Sequence, residues 1–68
     1  MNRVIDLSAV KRRELRAMVN RLVLIKQSLH PMERYEVEDM DYRLMVGSPI
    51  DLASELFIIQ LYKKEFKQ

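Results

Sequence analysis

Leu15-Arg16-Ala17-Met18-Val19-Asn20-Arg21-Leu22-Val23-Leu24-Ile25-Lys26-Gln27-Ser28-Leu29 is the stretch on which the fold turns. Within it Leu15, Met18, Leu22, Ile25 and Leu29 recur at alternating spacings of three and four. That rhythm stacks them along one side of an α-helix. No proline or glycine interrupts the pattern, and it predicts a first helix from about Leu7 to Leu29. Just before it, Asp6 is a suitable N-cap, with Ile5 and Val10 placed to close a hydrophobic staple across it.

Downstream, Pro31 suits the first turn of a new helix and disfavours helical geometry at His30 before it. The chain therefore turns between Ser28 and Pro31, and a second helix is expected over residues 31–46. Met32, Tyr35, Tyr42 and Val46 share one face of that helix, while Val37, Met40 and Leu44 fall on another. A strand alternative exists for residues 35–46, because Tyr35/Val37 and Met40/Tyr42/Leu44/Val46 alternate. Against it, Glu38-Asp39 contains no glycine or asparagine to make a tight hairpin turn.

Gly47 stands where a helix C-terminus takes a left-handed residue. In Ser48-Pro49-Ile50-Asp51 the serine reads as a cap, the proline as the first helical residue and the aspartate as charge complementing the helix dipole. A third helix is expected over residues 49–66, with Lys63, Lys64 and Lys67 near its negative end. Short connections imply antiparallel neighbours. The fold class is all-α: a three-helix bundle, or a helical hairpin with a third helix, that self-associates.

With 68 residues the chain is a single domain, and one this short buries only about 60% of its unfolded surface. A hydrophobic fraction of 49% with a single glycine and two prolines describes a folded chain rather than a disordered one. Domains of this size usually carry a staple, and the absence of cysteine excludes disulfides and thiolate metal sites. No apolar run reaches the roughly 18 residues of a membrane span. The segment Met1-Asn2-Arg3-Val4-Ile5-Asp6 lacks the apolar stretch of a secretory signal, so a cytoplasmic location is expected.

Charge divides by segment: +5 over residues 1–30, −5 over 31–55 and +2 over 56–68. A basic first helix lying antiparallel to an acidic second one accounts for this internally. The functional reading makes Arg12, Arg13 and Arg16 an anion patch, for the phosphates of a nucleic acid or for an acidic partner. Three arginines with no interleaved aromatic are few, and the acidic middle would repel a phosphate backbone. A helix-turn-helix also strains, since Leu56, Phe57, Ile58 and Ile59 occupy a helix that would need polar residues facing a groove.

Reactive constellations are not evident. Glu33, Glu36, Glu38, Asp39 and Asp41 are dense in carboxylate but lack calcium-loop spacing with its glycine. His30 is the only histidine and reads as a turn or capping residue. There is no glycine-rich phosphate loop. The expectation is a non-enzyme with no metal and no cofactor.

The third helix carries more apolar surface than one contact requires. Ile50, Ala53, Phe57 and Leu61 form one stripe; Leu52, Leu56, Ile59 and Phe66 form a second, nearly opposite, with Tyr62 at its edge and Ile58 between. One arrangement places this helix centrally, gripped on both sides. In the other the second stripe is completed by another chain, a contact on the order of 6–12 kcal/mol before ordering costs. On this reading the protein is a helical interaction module, an adaptor or inhibitor that binds and modulates a protein partner. It is homodimeric through Leu52, Leu56, Ile59, Tyr62 and Phe66, with nucleic-acid binding through the first helix as the alternative.

Overall fold

The computed structural model describes the backbone of residues 3–66 and the side chains of residues 11–66. Three α-helices pack pairwise into a bundle: α1 (Arg3–Leu24), α2 (Pro31–Val46) and α3 (Leu52–Glu65), with a single 3-10 turn, Lys26–Ser28, between the first two. No strand occurs among the described residues, so residues 35–46 take the helical alternative.

α1 departs from expectation at both ends. It begins at Arg3, so Asp6 lies inside the helix rather than capping it, and the staple expected from Ile5 and Val10 falls outside the described side chains. At the other end the helix stops at Leu24, five residues early. The chain tightens there: Ser28 N–H donates to the Ile25 carbonyl at 2.9 Å and Leu29 N–H to that of Lys26 at 3.1 Å. Pro31 supplies the reason, because it holds His30 extended (φ −62°, ψ 152°) and the reversal must be finished before it. The turn swings Leu29 into the core, where it is buried.

α2 opens with Pro31 at its first position and the His30 N–H donating to Glu33 Oε1 at 3.1 Å. It closes on Gly47, left-handed at φ 74°, with the Ser48 N–H donating to the Arg43 carbonyl at 3.0 Å.

α3 starts three residues later than the serine–proline pair suggests. Ser48 and Pro49 precede the helix, and Asp51 is the cap, accepting from the Ser54 N–H at 3.1 Å and the Ser54 hydroxyl at 3.0 Å. Ser48-x-x-Asp51 and Asp51-x-x-Ser54 offer overlapping cap signals. Packing selects the second, since Ile50 turns against the core and the Ser48 carbonyl accepts from Arg12.

The core is Leu15, Val19, Leu22, Leu29, Val37, Met40, Ile58 and Leu61. Of the predicted stripe, Leu15 and Leu22 are buried on α1 and Leu29 beyond the 3-10 turn, while Met18 and Ile25 lie at the edge of the core. Val19 is fully buried and Val23 packs against the core, although neither belongs to the stripe. Two helices lean on α1, so its buried arc exceeds one heptad seam.

Candidate interaction surface

The residues singled out on α3 part company in the fold. Leu52 and Leu56 keep 66% and 45% of their surface exposed. Ile59, Tyr62 and Phe66 lie half-buried against the core instead. Tyr62 and Phe66 stack at 5.0 Å between centroids, tilted by 34°. Arg21 of α1 covers this pair, its guanidinium 5.9 Å from the Phe66 centroid and donating to the Tyr62 hydroxyl at 3.2 Å. The doubled apolar face of α3 thus has two fates: Ile58 and Leu61 enter the core, and α1 partly covers the end of the second stripe.

A larger unpartnered face lies on α2. Val37 and Met40 are buried and Leu44 packs beside them, which turns Met32, Tyr35, Tyr42 and Val46 outward. Those four side chains are between 50% and 66% exposed, and Met45 beside them 68%. Sequence reasoning grouped Met32, Tyr35, Tyr42 and Val46 on one face but did not select which face the bundle would cover. Both sets recur at helical spacing, the outward one from residue 32 to 46 and the inward one from 37 to 44, and periodicity alone is silent on the choice. The signal was present in composition: the Val37/Met40/Leu44 face is purely aliphatic, whereas tyrosines keep a hydroxyl that favours water or a polar partner.

The basic patch on α1 does not face outward as a unit. Arg12 donates to the Ser48 carbonyl, and Arg16 to Asp41 Oδ1 at 2.6 Å, to the Asp41 carbonyl at 3.3 Å and to Asn20 at 3.2 Å. Arg13 is exposed. The acidic run is answered in the same way. Glu38 pairs with Lys26 at 3.0 Å, Asp39 with Arg43 at 3.0 Å, and Glu33 with Lys64 at 2.8 Å. Glu33 is held below its ordinary pKa by the Lys64 ammonium and the His30 N–H, and Lys64 is raised in return. Asp51 is lowered to about 2 by the Ser54 N–H and hydroxyl and then by Arg43, 3.0 Å away; the Arg43 guanidinium is raised, chiefly by Asp51. Each of these shifts accompanies a cap or an ion pair between elements of the fold.

Little concave surface accompanies these faces. One hollow lies between α2 and α3 at Glu33, Phe57, Gln60, Leu61 and Lys64, another under Lys11, Arg12, Pro49, Ile50 and Glu55. Each measures about 180 Å³, below the roughly 300 Å³ at which ligand pockets begin. Among the described residues no three His, Asp or Glu side chains converge on a metal site. Likewise, no described helix is long and apolar enough to cross a membrane. Compared with models of protein families, with curated proteins and with solved structures, the chain matches none.

Proposed function

We propose that this protein is a small, non-catalytic helical interaction module of the cytoplasm that binds and modulates a protein partner, as an adaptor or inhibitor does. The observation that carries this reading is the outward display of Met32, Tyr35, Tyr42, Met45 and Val46 on α2 and of Leu52 and Leu56 on α3. Scattered apolar residues on a surface are ordinary. Here seven large ones recur on two helices, against eight buried core side chains among the described residues. Apolar faces of this kind mark contacts with other proteins, and amphipathic helices meet partners through side chains spaced as these are.

Self-association through α3 is the form this reading takes from sequence. Half-burial of Ile59, Tyr62 and Phe66 leaves only Leu52 and Leu56 for that contact, less than a stable interface usually buries. The α3 pair therefore suits one end of a larger partner. The rival, nucleic-acid binding by Arg12, Arg13 and Arg16, has weaker support because Arg12 and Arg16 are engaged within the bundle. Steep loss of DNA or RNA affinity with salt, abolished in the triple alanine variant, would reverse that preference.

The test is differential capture from native cells. Wild type, Leu52→Glu/Leu56→Glu and Tyr35→Lys/Tyr42→Lys are crosslinked in parallel after circular dichroism has shown equal helicity. A protein retained by wild type and lost from one variant is expected. Equal recovery by all three would overturn the proposal.

A further inference from the structure

The outward face of α2 is a heptad seam. Met32, Tyr35, Asp39, Tyr42 and Val46 are separated by three, four, three and four residues. At 100° per residue they fall within an arc of about 80°, with the buried Val37 opposite its centre and the buried Met40 about 120° from it. Seams with this spacing are the ones helices use to pack against a second helix. Among the described residues the seam's four apolar members are all at least half exposed.

The seam is also symmetric about its centre. Seven residues separate Asp39 from Met32 on one side and from Val46 on the other, and Tyr35 and Tyr42 flank it at four and three. Laid antiparallel against its own copy with Asp39 near the twofold axis, Met32 meets Val46 and Tyr35 meets Tyr42 within one residue of register. A twofold interface demands such self-complementarity.

Charges agree with the same register. Glu36 and Arg43 lie on one shoulder of the seam, and a twofold rotation brings like shoulders together. Glu36 of each copy then faces the Arg43 guanidinium of the other, which holds Asp39 and Asp51 of its own chain through Nε and Nη1. On the other shoulder, Glu38 is already paired with Lys26. The central Asp39 carboxylate is paired at 3.0 Å with Arg43 of its own chain, which tempers repulsion at the axis. A polar residue at such a position sets register at the expense of affinity.

We infer that this face of α2 is the homodimer interface, with two bundles joined by an antiparallel α2–α2 pair centred on Asp39. The inference rests on the reading of the chain as an interaction module, and it leaves Leu52 and Leu56 of α3 to a different partner. One helix face is a small contact, so the dimer is reversible and concentration-dependent.

Sedimentation equilibrium from about 10 μM to about 1 mM, the range for an interface below standard size, tests it. A monomer–dimer equilibrium is expected for wild type. Tyr35→Lys/Tyr42→Lys, altering two exposed side chains, should keep its helicity and weaken the dimer by about tenfold or more. Asp39→Leu, which removes both carboxylates from the axis, should tighten it by a similar factor, a gain that misfolding cannot imitate. Because the chain has no cysteine, Asp39→Cys and Leu56→Cys each offer a single crosslinking site, and only the first should give covalent dimers with a short bis-maleimide. A strictly monomeric wild type, a dimer indifferent to the tyrosine pair, or crosslinking only at position 56 would each overturn the inference. Loss of the dimer with differential capture intact would leave the partner-binding reading standing; the converse result would leave the dimer without it.

Discussion

At the scale of the residue, Asp51 shows how one side chain decides where a helix starts. Its carboxylate accepts from the backbone and hydroxyl of Ser54 and holds Arg43 of the preceding helix, which ties the α2–α3 connection together. Those donors favour the ionised form and lower its pKa from 3.8 to about 2. A depressed folded-state pKa stabilises the fold fully above the unfolded value, and that contribution disappears as pH falls from 3.8 towards about 2. Asp51→Asn keeps a capping oxygen but cannot titrate. Its urea midpoint should therefore change less than that of wild type when the buffer is taken from pH 4.5 to pH 2, ends chosen to bracket the cited shift. An identical slope in both proteins would show that the cap carries no linkage.

The element scale explains why the helices were legible and their ends were not. Leu15 and Leu22 recur in the register a buried stripe needs and are buried on α1, whereas Leu29 is buried by the turn that follows the helix. Gly47 and Pro31 punctuate the chain through their own backbone chemistry, independent of distant contacts. By contrast, Val19 lies next to the stripe and reached the centre of the core only because α2 and α3 both press on α1. Val19→Ala should accordingly destabilise by about 2 kcal/mol, the order seen for a buried large-to-small change. Leu24→Ala, at a side chain 83% exposed, should stay within about 0.5 kcal/mol. Chemical denaturation of the two variants measures both, and comparable losses would show that the buried arc of α1 is misplaced. The start of α3 is the complementary case. Ser48 and Asp51 are equally good caps locally, and the choice went to the one that lets Ile50 reach the core.

Across the whole molecule, the segmental charge division becomes a set of ties between helices. Arg16–Asp41 at 2.6 Å joins α1 to α2, Lys11–Glu55 at 3.1 Å joins α1 to α3, and Lys64–Glu33 at 2.8 Å joins α3 to α2. Partly exposed pairs contribute little individually, and salt screens them. Their use is register: these three contacts are made together only when the helices sit as they do here. Thermal melts at low ionic strength and in about 0.5 M sodium chloride, where screening falls to a few ångströms, should show a modest fall in midpoint with the same helical baseline. A rise in midpoint with sodium chloride would show that net repulsion, rather than these pairs, governs the charge balance.

The amino-acid sequence by itself determined that the first and last segments of this protein are helical, and where proline and glycine divide the chain, because those properties rest on local periodicity and backbone chemistry. The choice of helix over strand for residues 35–46 came with the fold. Tertiary structure alone decided which apolar face of α2 turned inward, which half of the second α3 stripe was covered, and whether the α1 arginines pointed at solvent or at Ser48 and Asp41. Each of those outcomes depends on which helix lies across the gap, and a pattern read along one helix has no knowledge of its neighbours. The feature most relevant to function, an apolar seam left over once the core is complete, emerges only by subtraction. It becomes visible only after the buried side chains of the three helices have been assigned to the core.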